Sequence, residues 1–213
     1  AFPDNDPAGP VRVDTGVRAG DTVSPFYDPM IAKLIVHGAD RAEALRRLDR
    51  ALAGCEIAGL ATNVDFLRRA VTHPSFAEGG VDTGFIAANE AALLPNGQID
   101  DRALALASLA VLLERAAAAA EAARTSGDPY SPWHLSGGWR MNDEAHNDLR
   151  FEVEGEPVNL RVHYGRDGYV LDMPGGSVAA EARSLGDGRF MATLDGRRSE
   201  ARVVRVADVL TLF

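Results

Sequence analysis

Chemistry needs particular side chains at particular spacings, and the 213 residues of this chain offer few of them. The histidines are His37, His73, His134, His146 and His163. None of them is read as having metal-ligand spacing with another His, Cys or acid on one face. His37 closes a β-like run and His73 precedes Pro74, positions that suit structural roles. Cys55 lies in an apolar run with no adjacent base to hold a thiolate, so it reads as a buried, inert thiol. Asp143-Glu144 reads as a solvated loop rather than an acid/base dyad. No G-x-x-x-x-G-K-[ST] loop is present, and Gly175-Gly176 and Gly186-Asp187-Gly188 are turn glycines with no helix start after them to hold a phosphate. Arg183, Arg189, Arg197, Arg198, Arg202 and Arg205 make the tail basic, but alternation places several on an outer strand face. The residues therefore point to no catalytic set and no metal site. What stands out is aromatic: Tyr130, Trp133 and Trp139 in a loop rich in Pro and Gly, suited either to plugging a core or to touching a partner.

Composition narrows the classes further. A formal net charge of −9 makes a nucleic-acid surface unsuitable, because phosphate neutralisation needs a basic face. A single cysteine allows no internal disulfide and fits a reducing compartment. The abundance of Ala, Arg and Gly suggests a GC-rich bacterial source, and the expected location is the bacterial cytoplasm. The opening AFPDNDPAGP is polar, Pro-rich and without an initiating Met, which reads as a start inside a larger protein.

The element that must organise the second half is residues 101–126, DRALALASLAVLLERAAAAAEAARTS, a helix capped by Asp100 or Asp101 and stopped at Gly127. Residues 103–113 carry no charge, so that part has no polar face and must be enclosed on every side. The uncharged run is too short to span a bilayer, and Glu114, Arg115 and Glu121 interrupt its continuation. The alanines at 116–120 suit close approach of a covering wall. From Leu149 onward the pattern has period two, broken by turn chemistry at 154–157, 165–168, 174–176, 186–188 and 195–196. With a strand near 138–142, about eight antiparallel strands follow the helix. Either an open sheet lies on the helix or a barrel wraps it, and the pattern alone leaves both open. Before the helix, the expectations are a strand over 31–37, a helix from Asp40 to about residue 52, a short strand over 55–60, a helix over 62–72 ending before Pro74, and a short helix over 83–94. That succession is an α+β lobe.

Two stretches carry a resemblance. Residues 11–36, VRVDTGVRAGDTVSPFYDPMIAKLIV, and the later GLATNVDFLRRAVTHPSFAEGGVDTGFI resemble the C-terminal lobe of the biotin carboxylase domain in biotin-dependent acyl-CoA carboxylases. FYDPMIAKLIV and GLATNVDFL at this spacing are specific to that family, whereas FPDNDP departs from its Phe-Leu-Pro-x-x-Gly loop. Residues 91–213 resemble the domain that follows in the α subunits of methylcrotonyl-CoA and propionyl-CoA carboxylases, and SPWHLSGGWRMN is most like the methylcrotonyl-CoA branch.

The resemblance implies a fold class of α+β: an incomplete biotin carboxylase C-terminal lobe over 1–90, then over 91–213 a long helix wrapped by an eight-stranded antiparallel β-barrel. It implies a fragment of an α subunit whose holoenzyme uses ATP, Mg²⁺ and bicarbonate to carboxylate biotin and then an acyl-CoA in leucine breakdown, with propionyl-CoA and geranyl-CoA carboxylases as alternatives. The ATP-binding and catalytic residues are expected before residue 1 and the biotin-carrying Met-Lys-Met after residue 213, so the fragment itself is expected to bind no cofactor and to be inactive. Its partners would be the carboxyltransferase β subunit and the biotin carrier domain of the same chain. Arg12, Tyr27 and Asp28 match positions near the biotin carboxylase interface, while Lys33 lies in the same motif without an assigned role. Tyr130, Trp133, His134 and Leu135 fall in the loop of about 127–141 that reaches the β subunit in the family. A reading of another class, a small-molecule-binding barrel, requires a hollow interior that an enclosed helix would fill.

Overall fold

The computed structural model describes residues 1–3, 10–24, 26, 30–94, 100–128, 130–131, 145–165 and 168–213. They form two compact units, Ala1–Asn96 and Gly97–Phe213.

In the first unit, strands β1 (Val11–Thr15) and β2 (Ala32–Val36) pair antiparallel, with Val13 opposite Leu34. Alternation buries Val13 and leaves Arg12 and Asp14 on the other face, opposite Ile35 and Lys33. Helix α1 (Arg41–Ala53) starts at Asp40, whose carboxylate accepts from Glu43 N at 2.7 Å. Glu43 in turn accepts from Ala39 N at 2.7 Å, so both side chains satisfy amides that the first turn leaves free. Helix α2 (Val64–Thr72) is tied to α1 by Arg68 and Asp49 at 2.9 Å. Helices α3 (Pro74–Glu78), α4 (Phe85–Ala88) and α5 (Glu90–Leu93) complete a small apolar cluster of Ala70, Phe85 and Leu93 with Phe66 and Phe76. His73 packs edge-on against Phe85, a structural role as its neighbour Pro74 implied.

Three details differ from the sequence reading. Pro74 does not only stop a helix; at the first helical position its missing N–H costs nothing, and α3 starts on it. The single helix expected over 83–94 is two turns, because Asn89 breaks it and its side-chain amide bonds back to Phe85 O at 2.8 Å. Residues 55–60 are not a strand: Glu56 N bonds to Ala1 O at 2.8 Å, and Gly59 turns the chain with φ 87°.

The second unit is built on α6 (Asp101–Thr125), capped by Asp100, whose side chain accepts from Arg102 N at 2.9 Å. Seven antiparallel strands follow: β3 (His146–Val153), β4 (Glu156–Tyr164), β5 (Tyr169–Met173), β6 (Gly176–Gly186), β7 (Arg189–Leu194), β8 (Arg197–Val206) and β9 (Val209–Leu212). Each pairs with the next in chain order, so the sheet is a meander that curls around the first half of α6. Glu154-Gly155 and Asp195-Gly196 both take positive φ, which gives the two-residue turns whose twist suits a hairpin. The inward residues Leu149, Leu160, Val162, Leu171, Phe190 and Ala192 close on Leu104, Leu109 and Leu112 of α6. Full burial of one such leucine contributes about 1.5–3 kcal/mol.

The eight-stranded closed barrel is reduced to seven described strands in a half-barrel. The strand expected near 138–142 lies outside the described residues. Among the described residues β3 and β9 each pair on one side, and between them opens a cleft of about 570 Å³ floored by Ala103, Leu104 and Ala107. The alanines at 116–118 and Ala120 are exposed rather than covered by a wall, because the sheet ends at the level of Glu114. Helix α6 has the length and apolarity of a membrane span, yet its uncharged half is covered by the sheet.

A leucine in place of Ala110, which is 2% exposed, should overpack this core and lower stability by about 1–3 kcal/mol. The same change at exposed Ala118 should stay within about 0.5 kcal/mol. Urea unfolding of both variants checks the contrast.

Candidate docking surface

Helix α6 is two helices in character. Residues 104–112 are covered, with Ala105, Leu109 and Ala110 at 2% exposure or less. From Glu114 to the end of the helix nearly every side chain is exposed, and the run is mostly alanine. The uncovered half spans about 18 Å at 1.5 Å per residue. Alanine suits it because a helix without packing must stand on intrinsic propensity, and alanine has the highest. The Glu121–Arg124 ion pair adds local support.

Two polar contacts bracket the covered half. At its start, the Asp101 carboxylate accepts from Gly175 N at 2.8 Å, which pins the β5–β6 turn to the helix. The approach is close enough that a Cβ on Gly175 would lie 2.3 Å from Asp101 Oδ2. At its end, Arg205 Nη2 on β8 donates to Glu114 Oε2 at 2.6 Å. Both partners are about two-fifths exposed, so the pair itself contributes about 0–1 kcal/mol. In sequence Glu114 is the first charge after the uncharged run, but its partner 91 residues away left no local signal. Ser108, wholly buried, donates to Leu104 O at 2.9 Å and so is satisfied within its own helix.

Of the residues singled out for docking, Tyr130 is 94% exposed, in a turn closed by Ser131 N on Asp128 O at 3.2 Å. It follows directly on the uncovered half of α6. Trp133, His134 and Leu135 lie outside the described residues, as do Tyr27 and Asp28. Arg12 is described, and it grips its own strand neighbour: Nε and Nη2 donate to the two oxygens of Asp14 at 2.8 and 2.6 Å. That bond holds the Asp14 carboxyl below its ordinary pKa. Phe26, which opens the FYDPM motif, is 95% exposed.

Among the described residues, one polar cluster and one further cavity were candidates for chemistry. On the outer sheet face, Ser177 Oγ donates to Asp172 Oδ1 at 2.8 Å, and His163 Nε2 lies 2.8 Å from Asp172 Oδ2. The carboxylate sits between the other two, so the hydroxyl is not activated by the imidazole as a nucleophile requires. Among the described residues no group of three metal-ligating side chains exists. A cavity of about 210 Å³ in the first unit is lined by Val13, Leu52, Val71 and Cys55, and burial raises the Cys55 thiol above its ordinary pKa.

His163, with Ser177 second, depresses the Asp172 pKa from its ordinary 3.8. A depressed carboxyl stabilises the fold above its unfolded pKa and loses that contribution as pH falls through the folded value. In His163→Ala the Asp172 midpoint, followed by NMR, should rise toward the ordinary value. The stability gap between variant and parent should close as the pH drops below about 4.

Comparison with known proteins covers both units. Residues 3–88 match the biotin carboxylase C-terminal domain, and residues 100–213 match the BT domain of the methylcrotonyl-CoA carboxylase alpha-subunit. The mitochondrial methylcrotonoyl-CoA carboxylase subunit alpha of Dictyostelium discoideum is 40% identical over 95% of this chain and 26% of its own length. The mouse counterpart is 38% identical over 74% of this chain and 22% of its own. The mitochondrial propionyl-CoA carboxylase alpha chain of mouse is 43% identical over 36% of this chain and 10% of its own. The chain thus spans about a quarter of the methylcrotonoyl-CoA carboxylase relatives. These relatives overturn the expectation of a bacterial cytoplasmic protein, since they are mitochondrial proteins of eukaryotes. The Ala-, Arg- and Gly-rich composition behind that expectation reflects base usage, not compartment, and one cysteine suits any reducing compartment. With one family model covering more than half of its length, the chain belongs to the family of methylcrotonyl-CoA carboxylase alpha-subunit BT domains, preceded by a biotin carboxylase C-terminal domain.

Proposed function

We propose that the chain serves as a scaffold and docking module of an ATP-dependent, biotin-dependent acyl-CoA carboxylase, with the carboxyltransferase β subunit as its partner. One observation carries the reading: a core helix leaves its enclosure halfway and presents an uncovered, alanine-rich half that leads to a fully exposed tyrosine. Surfaces of that kind mark interaction sites, and exposed aromatics are the usual anchors. Tyr130, Trp133, His134 and Leu135 are the anchors in this reading. Arg12, Tyr27 and Asp28 belong to a second interface, on the biotin carboxylase unit. An eighth strand closing the cleft between β3 and β9 is part of the same reading, supported by the apolar floor of that cleft.

The described residues do not fit the cofactors of the holoenzyme. They contain no group of three metal ligands, and the chain's one lysine, Lys33, lies within β2 between Ala32 and Leu34 rather than in a Met-Lys-Met turn. In this reading, as the resemblance implies, biotin, ATP and Mg²⁺ chemistry belongs to other parts of the enzyme, and no step is routed through these residues. Methylcrotonyl-CoA is the favoured acyl-CoA, because the methylcrotonoyl-CoA carboxylase relatives align along most of the chain and the propionyl-CoA relative along about a third. The small-molecule barrel loses support, since Leu109 and its neighbours occupy the place a ligand would take.

Titration calorimetry of the chain against the purified methylcrotonyl-CoA carboxyltransferase β subunit tests the reading. Binding is expected, weakened at least about tenfold by Tyr130→Ala or Trp133→Ala. Absence of binding by the parent chain would count against docking.

A further inference from the structure

The sheet of the first unit is narrow for the helices it packs on. Among the described residues it consists of β1 and β2, and two strands alone are marginal in water. Between this sheet and helices α1 and α2 lies the cavity of about 210 Å³, far above the water-sized voids of a packed interior. Val13 and Leu34 face it from the sheet, Leu48 and Leu52 from α1, and Leu67 and Val71 from α2. Phe2, Cys55 and Ile57 line it as well. At these last residues the backbone carries the start of a strand pair. The Glu56 amide donates to Ala1 O at 2.8 Å, and the Ala1 ammonium donates back to Glu56 O. Two residues that exchange both bonds stand opposite each other in an antiparallel ladder. With Ala1 opposite Glu56, Phe2 stands opposite Cys55, and a residue before Ala1 would stand opposite Ile57. Phe2, Cys55 and Ile57 line the cavity while Ala1 and Glu56 do not, as the period-two alternation of such a pair requires.

We propose that residues 55–58 are one strand of a ladder whose partner is an extended, alternately apolar segment of the same polypeptide entering through Ala1, and that this partner closes the cavity. The apolar run over 55–60 reads as a strand, and what residues 55–58 lack is a longer partner. All four are half-buried, and Gly59 ends the run by turning the chain at φ 87°. The relatives leave room for the partner, since this chain spans 26% of the length of the Dictyostelium protein. In the completed ladder the residue directly before Ala1, and every second one ahead of it, points into the cavity. The next bonded pair joins Ala58 to the residue two places before Ala1. The inward phase is strongly specified, because a shift by one residue turns the apolar set to the wrong face. The proposal concerns the first unit alone and is independent of the docking reading.

The test fuses two extensions of one composition before Ala1 in the 213-residue chain. Thr-Val-Thr-Val-Thr-Val sets a valine next to Ala1 and turns its valines into the cavity, whereas Val-Thr-Val-Thr-Val-Thr turns them outward. Cys55, the chain's one cysteine, reports on the cavity through its rate of alkylation by N-ethylmaleimide. The Ala58 amide reports on the ladder through hydrogen exchange. The first extension should slow both at least about tenfold relative to the parent chain, and the second should leave both within about twofold. No slowing by the first extension, or equal slowing by the two, overturns the proposal.

Discussion

A helix without a polar face cannot stand in water, and the second unit is arranged around that constraint. Residues 103–113 carry nothing but Ala, Leu, Val and one internally satisfied Ser. Seven strands supply the cover, their inward Leu, Val, Phe and Ala alternating with an outward charged set. Some of the outward charges pair across strands, as in Arg161 with Asp148 and Arg189 with Glu200. Where the charges begin on the helix, at Glu114, the cover stops. The boundary between core and uncovered surface is thus drawn by the helix's own sequence.

Much of this was legible in advance. The period-two runs and the turn residues between them define the strands that form, because side-chain alternation and positive-φ turns are local properties. The enclosed helix was legible from its missing polar stripe. The fate of Ala116 to Ala118 was not, since alanine is the best helix former both in a tight interface and in open water, and its identity does not distinguish them. Gly175 read as a turn glycine, which it is, but its closeness to Asp101 needed the fold. The same holds for Arg12: the resemblance set it near an interface, whereas its grip on Asp14 depends on the strand that sets them two residues apart on one face. In the first unit the short helices were blurred because Asn89 acts through a local side-chain bond and Pro74 through its missing N–H, which propensity alone does not weigh.

The two units divide the work as their contents suggest. The first offers a two-stranded face with an ion pair and a small helical cluster, and the second a covered helix that becomes an uncovered one. The first matches the biotin carboxylase C-terminal domain and the second the BT domain of the methylcrotonyl-CoA carboxylase alpha-subunit.

Amide hydrogen exchange along α6 tests the central claim most directly, because it reads cover residue by residue. In the free chain the amides of 104–112 should exchange only through global unfolding, while those of 117–124 exchange orders of magnitude faster; adding the β subunit should slow the second set and leave the first unchanged. Uniform protection along the whole helix in the free chain, or no slowing of 117–124 with the partner bound, would contradict the account.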